Sequence, residues 1–213
     1  DLVLANTING FSRYIRELKP DMIVVHGDRV EALAAAISGA INNILVSHIE
    51  GGEVSGTIDE SIRHAISKLS HIHFVSNYEA KNRLIQLGEN EDSIYVIGSP
   101  DIDIILQKPT LNIDDIKARY EIKFDEYAVL MYHPVTTEID YLKENVSKLV
   151  DAIFMSKDNF VVIYPNNDNG HKIILQEYKR FDGYSQVKKF PSIRFEFFIE
   201  ILKNAKYLIG NSS

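Results

Sequence analysis

The sequence has no cysteine. Disulfides and thiolate metal sites are therefore excluded, which fits a cytoplasmic protein. No apolar run approaches the roughly 20 residues of a membrane-spanning helix, so no membrane is expected as a partner. The start does not read as a secretory leader. No Walker loop and no GxGxxG occurs. No internal sequence repeat and no low-complexity tract is present. Net positive charge is missing as well: the 213 residues carry -7. That balance argues against a nucleic-acid surface. It leaves room for one anionic ligand, held by local arginines, lysines or helix N-termini.

What is present is an alternation of short apolar strands and amphipathic helices, with apolar content of 45%, enough for a sizeable core. The periodicity predicts strands at Met22 to Val25, Ile44 to Ser47, Ile72 to Val75 and Ile94 to Ile97. Helices are expected at 7–18, 30–41, 58–69 and 78–87, the last capped by Asn77 and ended by Gly88. After the apolar piece Ile102 to Leu106, Gln107 to Thr110 reads as a linker. Beyond it come strands at Tyr127 to Tyr132, Phe160 to Tyr164, 184–188 and Tyr207 to Ile209, with helices at 139–156, 171–180 and 192–203. Strand–helix–strand units of this length are right-handed parallel crossovers. The expected fold is α/β, with two doubly wound parallel-sheet (Rossmann-like) domains at 1–106 and 107–213. Both ends look cut, so each domain is expected to be incomplete.

One stretch, 46–66, concentrates polar chemistry: His48, Glu50, Glu53, Asp59, Glu60, Arg63 and His64 surround a loop holding Gly51, Gly52 and Gly56. A buried strand precedes it and a helix follows. Thr57 and Glu60 have capping-box spacing. Ile58, Ile62, Ala65, Ile66 and Leu69 form the expected buried face. Asp59 and Arg63, four apart, can pair on its border. An acidic, glycine-rich loop leaving a buried strand is where an α/β protein handles a ligand.

Polar groups recur at the other strand ends: His26 and Asp28, His133, Asn166 and Asp168, then Asn211, Ser212 and Ser213. Structural readings stand beside the functional ones. Glu60 and Asp59 could simply serve the helix start, and Asp28 with Glu31 could be a helix cap. The spacings of His48, His64, His71 and His73 match no standard zinc pattern, so no metal is expected.

These residues together resemble a known family. His26-Gly27-Asp28-Arg29, the run His48 to Asp59, Ser61 to Ala65, His133 to Thr137 and Gly210 to Ser213 are similar to the hydrolysing UDP-N-acetylglucosamine 2-epimerases. That group includes bacterial sialic-acid and legionaminic-acid pathway enzymes and the epimerase half of the animal bifunctional epimerase/kinase. Non-hydrolysing relatives typically carry a shorter His-x-Glu-Ala-Gly motif. Glu50-Gly51-Gly52-Glu53 therefore favours the hydrolysing branch.

The resemblance implies a fold of the two-domain glycosyltransferase-B type, with the active site in the interdomain cleft. It implies conversion of UDP-N-acetylglucosamine and water to N-acetylmannosamine and UDP through a glycal. On the family's motifs Asp28, Glu50 and Asp59 are catalytic carboxylates, and His133 assists the leaving phosphate. Asp28 or Glu50 would take the proton and Asp59 would serve hydration. Arg29, Gly52, Arg63, Asn166, Lys188, Lys189, Phe190, Ser212 and Ser213 would hold the UDP-sugar. No cofactor is implied, and a homo-oligomer, dimer or tetramer, is expected. Alternatives stay open: the same chemistry on UDP-N,N'-diacetylbacillosamine, a non-hydrolysing epimerase, a glycosyltransferase or UDP-sugar binding module, or a metal-dependent hydrolase.

Overall fold

The computed structural model describes residues 2–56, 58–106, 112–135 and 137–211. The linker expected at 107–110, the capping residue Thr57, and Ser212 and Ser213 lie outside them. The chain divides into two compact units, 1–103 and 104–213.

In the first unit, helix α1 (Leu2–Leu18) leads to β1 (Met22–His26), α2 (Val30–Ile41), β2 (Leu45–Ile49), α3 (Ile58–Leu69), β3 (Ile72–Val75), α4 (Tyr78–Gln86) and β4 (Ile94–Val96). The strands are parallel and lie in the order β1-β2-β3-β4. Successive right-handed crossovers that advance one way place their helices on one face. That face carries the row Val25, His48, His73 and Ile94. Helices α1, α2 and α3 cover Ile23, Val25 and Val46, and α4 covers Val75 and Ile94. On the opposite face Met22, Val24, Leu45 and Tyr95 are exposed, Val24 at 59%.

Asn77 caps α4 by accepting from the Ala80 amide at 2.8 Å. Gly88 ends it, with φ +87° and its amide on the Ile85 carbonyl. In α3 the buried residues are Ile66 and Ser67, with Ile62 and Leu69 packed at the border. Ile58 and Ala65 are exposed, so the apolar face is narrower than the spacing predicted.

The second unit starts with α5 (Pro100–Leu106), which begins just before the boundary, and α6 (Ile113–Arg119). It continues β5 (Ala128–Met131), α7 (Ile139–Met155), β6 (Phe160–Ile163), α8 (His171–Tyr178), β7 (Val187–Phe190), α9 (Phe195–Lys203) and β8 (Leu208–Gly210). Its parallel sheet has the order β7-β6-β5-β8, so the winding reverses between β5 and β8. Both faces are covered. Ala128, Leu130, Phe160 and Val162 meet α7 and α8, while Val129 and Val161 meet α6 and α9. This two-sided burial is what a parallel sheet requires.

Several elements differ from expectation: α1 begins at Leu2 and not at residue 7, α9 begins at Phe195 and not at residue 192, and the apolar piece 102–106 belongs to helix α5. Helix α6 was not anticipated, although Asn112 caps it, Asp114 and Asp115 occupy its first turn, and Lys117 and Arg119 its last. The strand expected at 184–188 runs from Val187 to Phe190, because the chain still turns at Gly183 (φ +79°) and Tyr184.

Candidate functional site

In the first unit the polar groups follow the C-terminal ends of β1 and β2, the edge at which open parallel sheets bind ligands. Glu50 is the first residue past β2 and adopts φ +63°, a left-handed conformation that costs a non-glycine residue about 1 kcal/mol or more. Its amide is fixed on the Phe74 carbonyl at 2.8 Å. Both carboxylate oxygens are engaged: His26 Nε2 lies 2.7 Å from Oε2, and the Ser99 hydroxyl donates to Oε1 at 2.7 Å. Burial pushes the Glu50 pKa up, but the Ser99 and His26 bonds, with the charges of His26 and Arg63, outweigh it and hold it below the usual value. Glu50 is an ionised, oriented carboxylate.

Asp28 follows β1. The N-cap of α2 is Arg29, with no side-chain cap bond, so the capping role considered for Asp28 does not apply. Asp28 instead pairs with the Arg63 guanidinium of α3. Arg63 is 13% exposed, and its buried Nη1 has no hydrogen-bond partner among the described residues. Its charge acts on both Glu50 and His48, so it stands among these groups. Asp59 lies one turn before Arg63, in the first turn of α3. Glu60 accepts from the amides of Ser55 and Gly56, each at 2.9 Å, and ties the glycine loop to the helix.

Other expected residues have positions that packing explains. Gly52 is buried with φ +80°, and a Cβ there would lie 2.5 Å from the Ala80 carbonyl oxygen. Its own carbonyl accepts from Arg83. His71 accepts the Val46 amide at 3.1 Å, and His73 lies 3.3 Å from Glu89. Among the described residues no three histidines or acids are grouped to hold a metal ion.

In the second unit the site flanks the reversal of winding. His133, just past β5, donates its amide to Asn211 Oδ1 at 2.8 Å and accepts from Asn211 Nδ2 at 3.0 Å. Its Nδ1 accepts the Asn166 amide at 3.1 Å. A neutral His133 ring therefore carries its proton on Nε2. Asn166 also donates to Asp168 at 2.6 Å. Lys188 and Lys189 project to opposite faces of β7. Lys188 meets Glu121 at 3.1 Å, while Lys189 binds the Tyr178 carbonyl and Asp182. Phe190 is buried, its ring edge-on to Tyr120. A cavity of about 530 Å³ bordered by Lys117, Lys123 and Lys188 includes none of His133, Asn166 and Asn211.

The sequence reading assigned no role to His26, Ser99 or Asn211, yet they hold Glu50 and His133 in place. The signal available was their position at strand ends.

The family profile described as UDP-N-acetylglucosamine 2-epimerase matches residues 1–213. The chain belongs to this family. A UDP-N-acetylglucosamine 2-epimerase of Neisseria meningitidis serogroup B is 48% identical over 211 residues, covering 99% of this chain and 56% of that protein. A hydrolysing UDP-N,N'-diacetylbacillosamine 2-epimerase of Legionella pneumophila is 37% identical, with the same coverage. The chain thus spans little more than half the length of these epimerases. A crystal structure of the Neisseria meningitidis UDP-GlcNAc 2-epimerase bound to UDP-GlcNAc has the same fold. Its TM-score is 0.79 at 23% identity, over 99% of this chain and 60% of that one. Among the described residues no helix is long and apolar enough to cross a membrane.

Proposed function

We propose that this chain is the part of a hydrolysing UDP-N-acetylglucosamine 2-epimerase that carries its acidic loop and its nucleotide-facing strand ends. The observation that carries this reading is Glu50, partly buried yet ionised, with one oxygen on His26 and the other on Ser99. The C2 proton of the sugar is weakly acidic until the C1–O bond loosens. A fixed carboxylate must therefore meet C2 while donors draw off the diphosphate.

In the proposed cycle the C2–H electron pair forms the C1=C2 double bond, and the C1–O pair leaves with UDP. Glu50 or Asp28 takes the proton. Water then adds its hydroxyl at C1, and a proton reaches C2 from the opposite face, with Asp59 serving this half. Arg63 offers an uncommitted N–H beside Asp28. His133, through Nε2, together with Arg29, Asn166, Ser212 and Ser213, serves the diphosphate and nucleoside. The bonds of Lys188 and Lys189 leave the Phe190 end of β7 as that strand's contribution.

Incubation of the full-length protein with UDP-N-acetylglucosamine in heavy water tests the reading. Free UDP and deuterium at C2 of the released sugar are expected. UDP remaining on an epimerised sugar would assign the non-hydrolysing reaction instead. The Legionella relative supports a second donor, UDP-N,N'-diacetylbacillosamine, and the ratio of kcat/KM for the two donors decides between them.

A further inference from the structure

We propose that His48 is a positioning residue: one buried imidazole, through Gly27 and Ser67, holds the Asp28 turn and the Glu50 turn at a fixed offset. The proposal rests on the epimerase reading for its kinetic consequence and on geometry for everything else.

His48 and Ser67 are both fully buried. The Gly27 carbonyl lies 2.8 Å from His48 Nε2 and can only accept, so Nε2 carries the ring proton. Nδ1 lies 3.0 Å from the Ser67 hydroxyl, which donates to it in the neutral ring. Ser67 follows Arg63 by one helical turn, with its hydroxyl 3.1 Å from the Arg63 carbonyl. Arg63 grips Asp28, and Asp28 is bonded in sequence to Gly27. The path Gly27, Asp28, Arg63, Ser67, His48 closes on itself and leaves the Asp28 turn no free joint.

The Glu50 turn rests on the same two side chains. A Cβ on Gly51 would lie 2.8 Å from Ser67 Oγ and 2.9 Å from His48 Nδ1, so only glycine lets the backbone lie this close. Glu50, the preceding residue, takes its left-handed conformation here. The Gly27 amide also donates to Ile49 at 3.0 Å, joining the two turns directly. An apolar side chain would fill the volume of His48 but would leave the Gly27 carbonyl unpaired and the Ser67 hydroxyl with the Arg63 carbonyl alone. Proton abstraction is sensitive to such placement: a shift of about 1 Å can cost on the order of 100-fold in rate.

The test uses the full-length protein and UDP-N-acetylglucosamine with three variants. In His48→Gln the amide nitrogen reaches the place of Nε2 and keeps the bond to Gly27. In His48→Asn the shorter side chain reaches only the Ser67 side, and His48→Phe makes neither bond. Expected are kcat losses on the order of 100-fold for Asn and Phe but within about 10-fold for Gln, with KM nearly unchanged. Equal losses in Gln and Asn, or losses no larger than the unfolded fraction seen by circular dichroism, would overturn the proposal.

Amide hydrogen exchange supplies a readout independent of activity. Segments 26–28 and 50–52 should exchange faster together in His48→Phe and stay near wild type in His48→Gln. Unchanged exchange in His48→Phe would overturn the proposal. A wild-type protein that releases no UDP would sink the epimerase reading alone, because the exchange result still decides the geometry.

Discussion

His26 Nε2 lies 2.7 Å from Glu50 Oε2, and this contact binds the residue that ends β1 to the first residue past β2. With Ser99 on the other oxygen, it fixes the plane of the carboxylate. Replacing Glu50 by Gln keeps the shape and removes a carboxylate that is proposed, with Asp28, to take the proton. The expected loss in kcat is about 10²- to 10⁴-fold, with UDP binding retained. Rates of UDP release and a UDP titration check it, and near-normal turnover would favour a UDP-sugar transferase of the same architecture.

Ser99→Ala removes one of the bonds that oppose the effect of burial on Glu50. The carboxylate pKa should rise. The acid limb of the kcat/KM profile should then move to higher pH, as a greater share of Glu50 is protonated at any given acidity. A profile with an unmoved acid limb would show that Glu50 is not the group titrating there.

His48 supplies a stability signature. Burial, the largest cause, lowers its pKa from 6.5 to about 4, against the opposing bond to Gly27. Above 6.5 the ring is neutral in both folded and unfolded chains. As pH falls from 6.5 towards 4, the unfolded chain binds a proton that the folded one refuses. Stability is therefore lost across that window, by up to about 3 kcal/mol. Urea unfolding between pH 7 and pH 4 measures this slope, and His48→Gln should flatten it.

Two glycine substitutions should act in opposite directions. Gly52→Ala meets the Ala80 carbonyl and a φ of +80°, so a loss of about 2 kcal/mol or more is expected. Gly10→Ala, inside α1 with open space around it, should be neutral or stabilising by up to about 1 kcal/mol. Thermal unfolding of both variants checks the pair.

The strand and helix alternation was legible because parallel strands buried on both faces read as plain apolar runs, as at Ala128–Met131 and Phe160–Ile163. Strand β7 was less legible because Lys188 and Lys189 interrupt its apolar pattern, each lysine finding an acid on its own side of the sheet. Helix α6 went unread although its cap and charges fit its ends, because it is only seven residues long. At the site, motif order pointed to Glu50 and Asp28. It could not show that His26 and Ser99 serve Glu50, since those contacts join residues 24 and 49 positions apart. Gly52 shows the reverse limit: the motif marks a required glycine, and only coordinates reveal that the pressure comes from the Ala80 carbonyl.

The first sheet carries its helices on one side, and β1, among the described residues, pairs only with β2. Met22, Val24 and Leu45 therefore form an exposed apolar flank beside an open row of backbone donors and acceptors. Produced by itself, the 213-residue stretch should be colloidally unstable. Val24→Lys should raise its soluble yield without disturbing the acidic loop, which lies beyond the strand's far end.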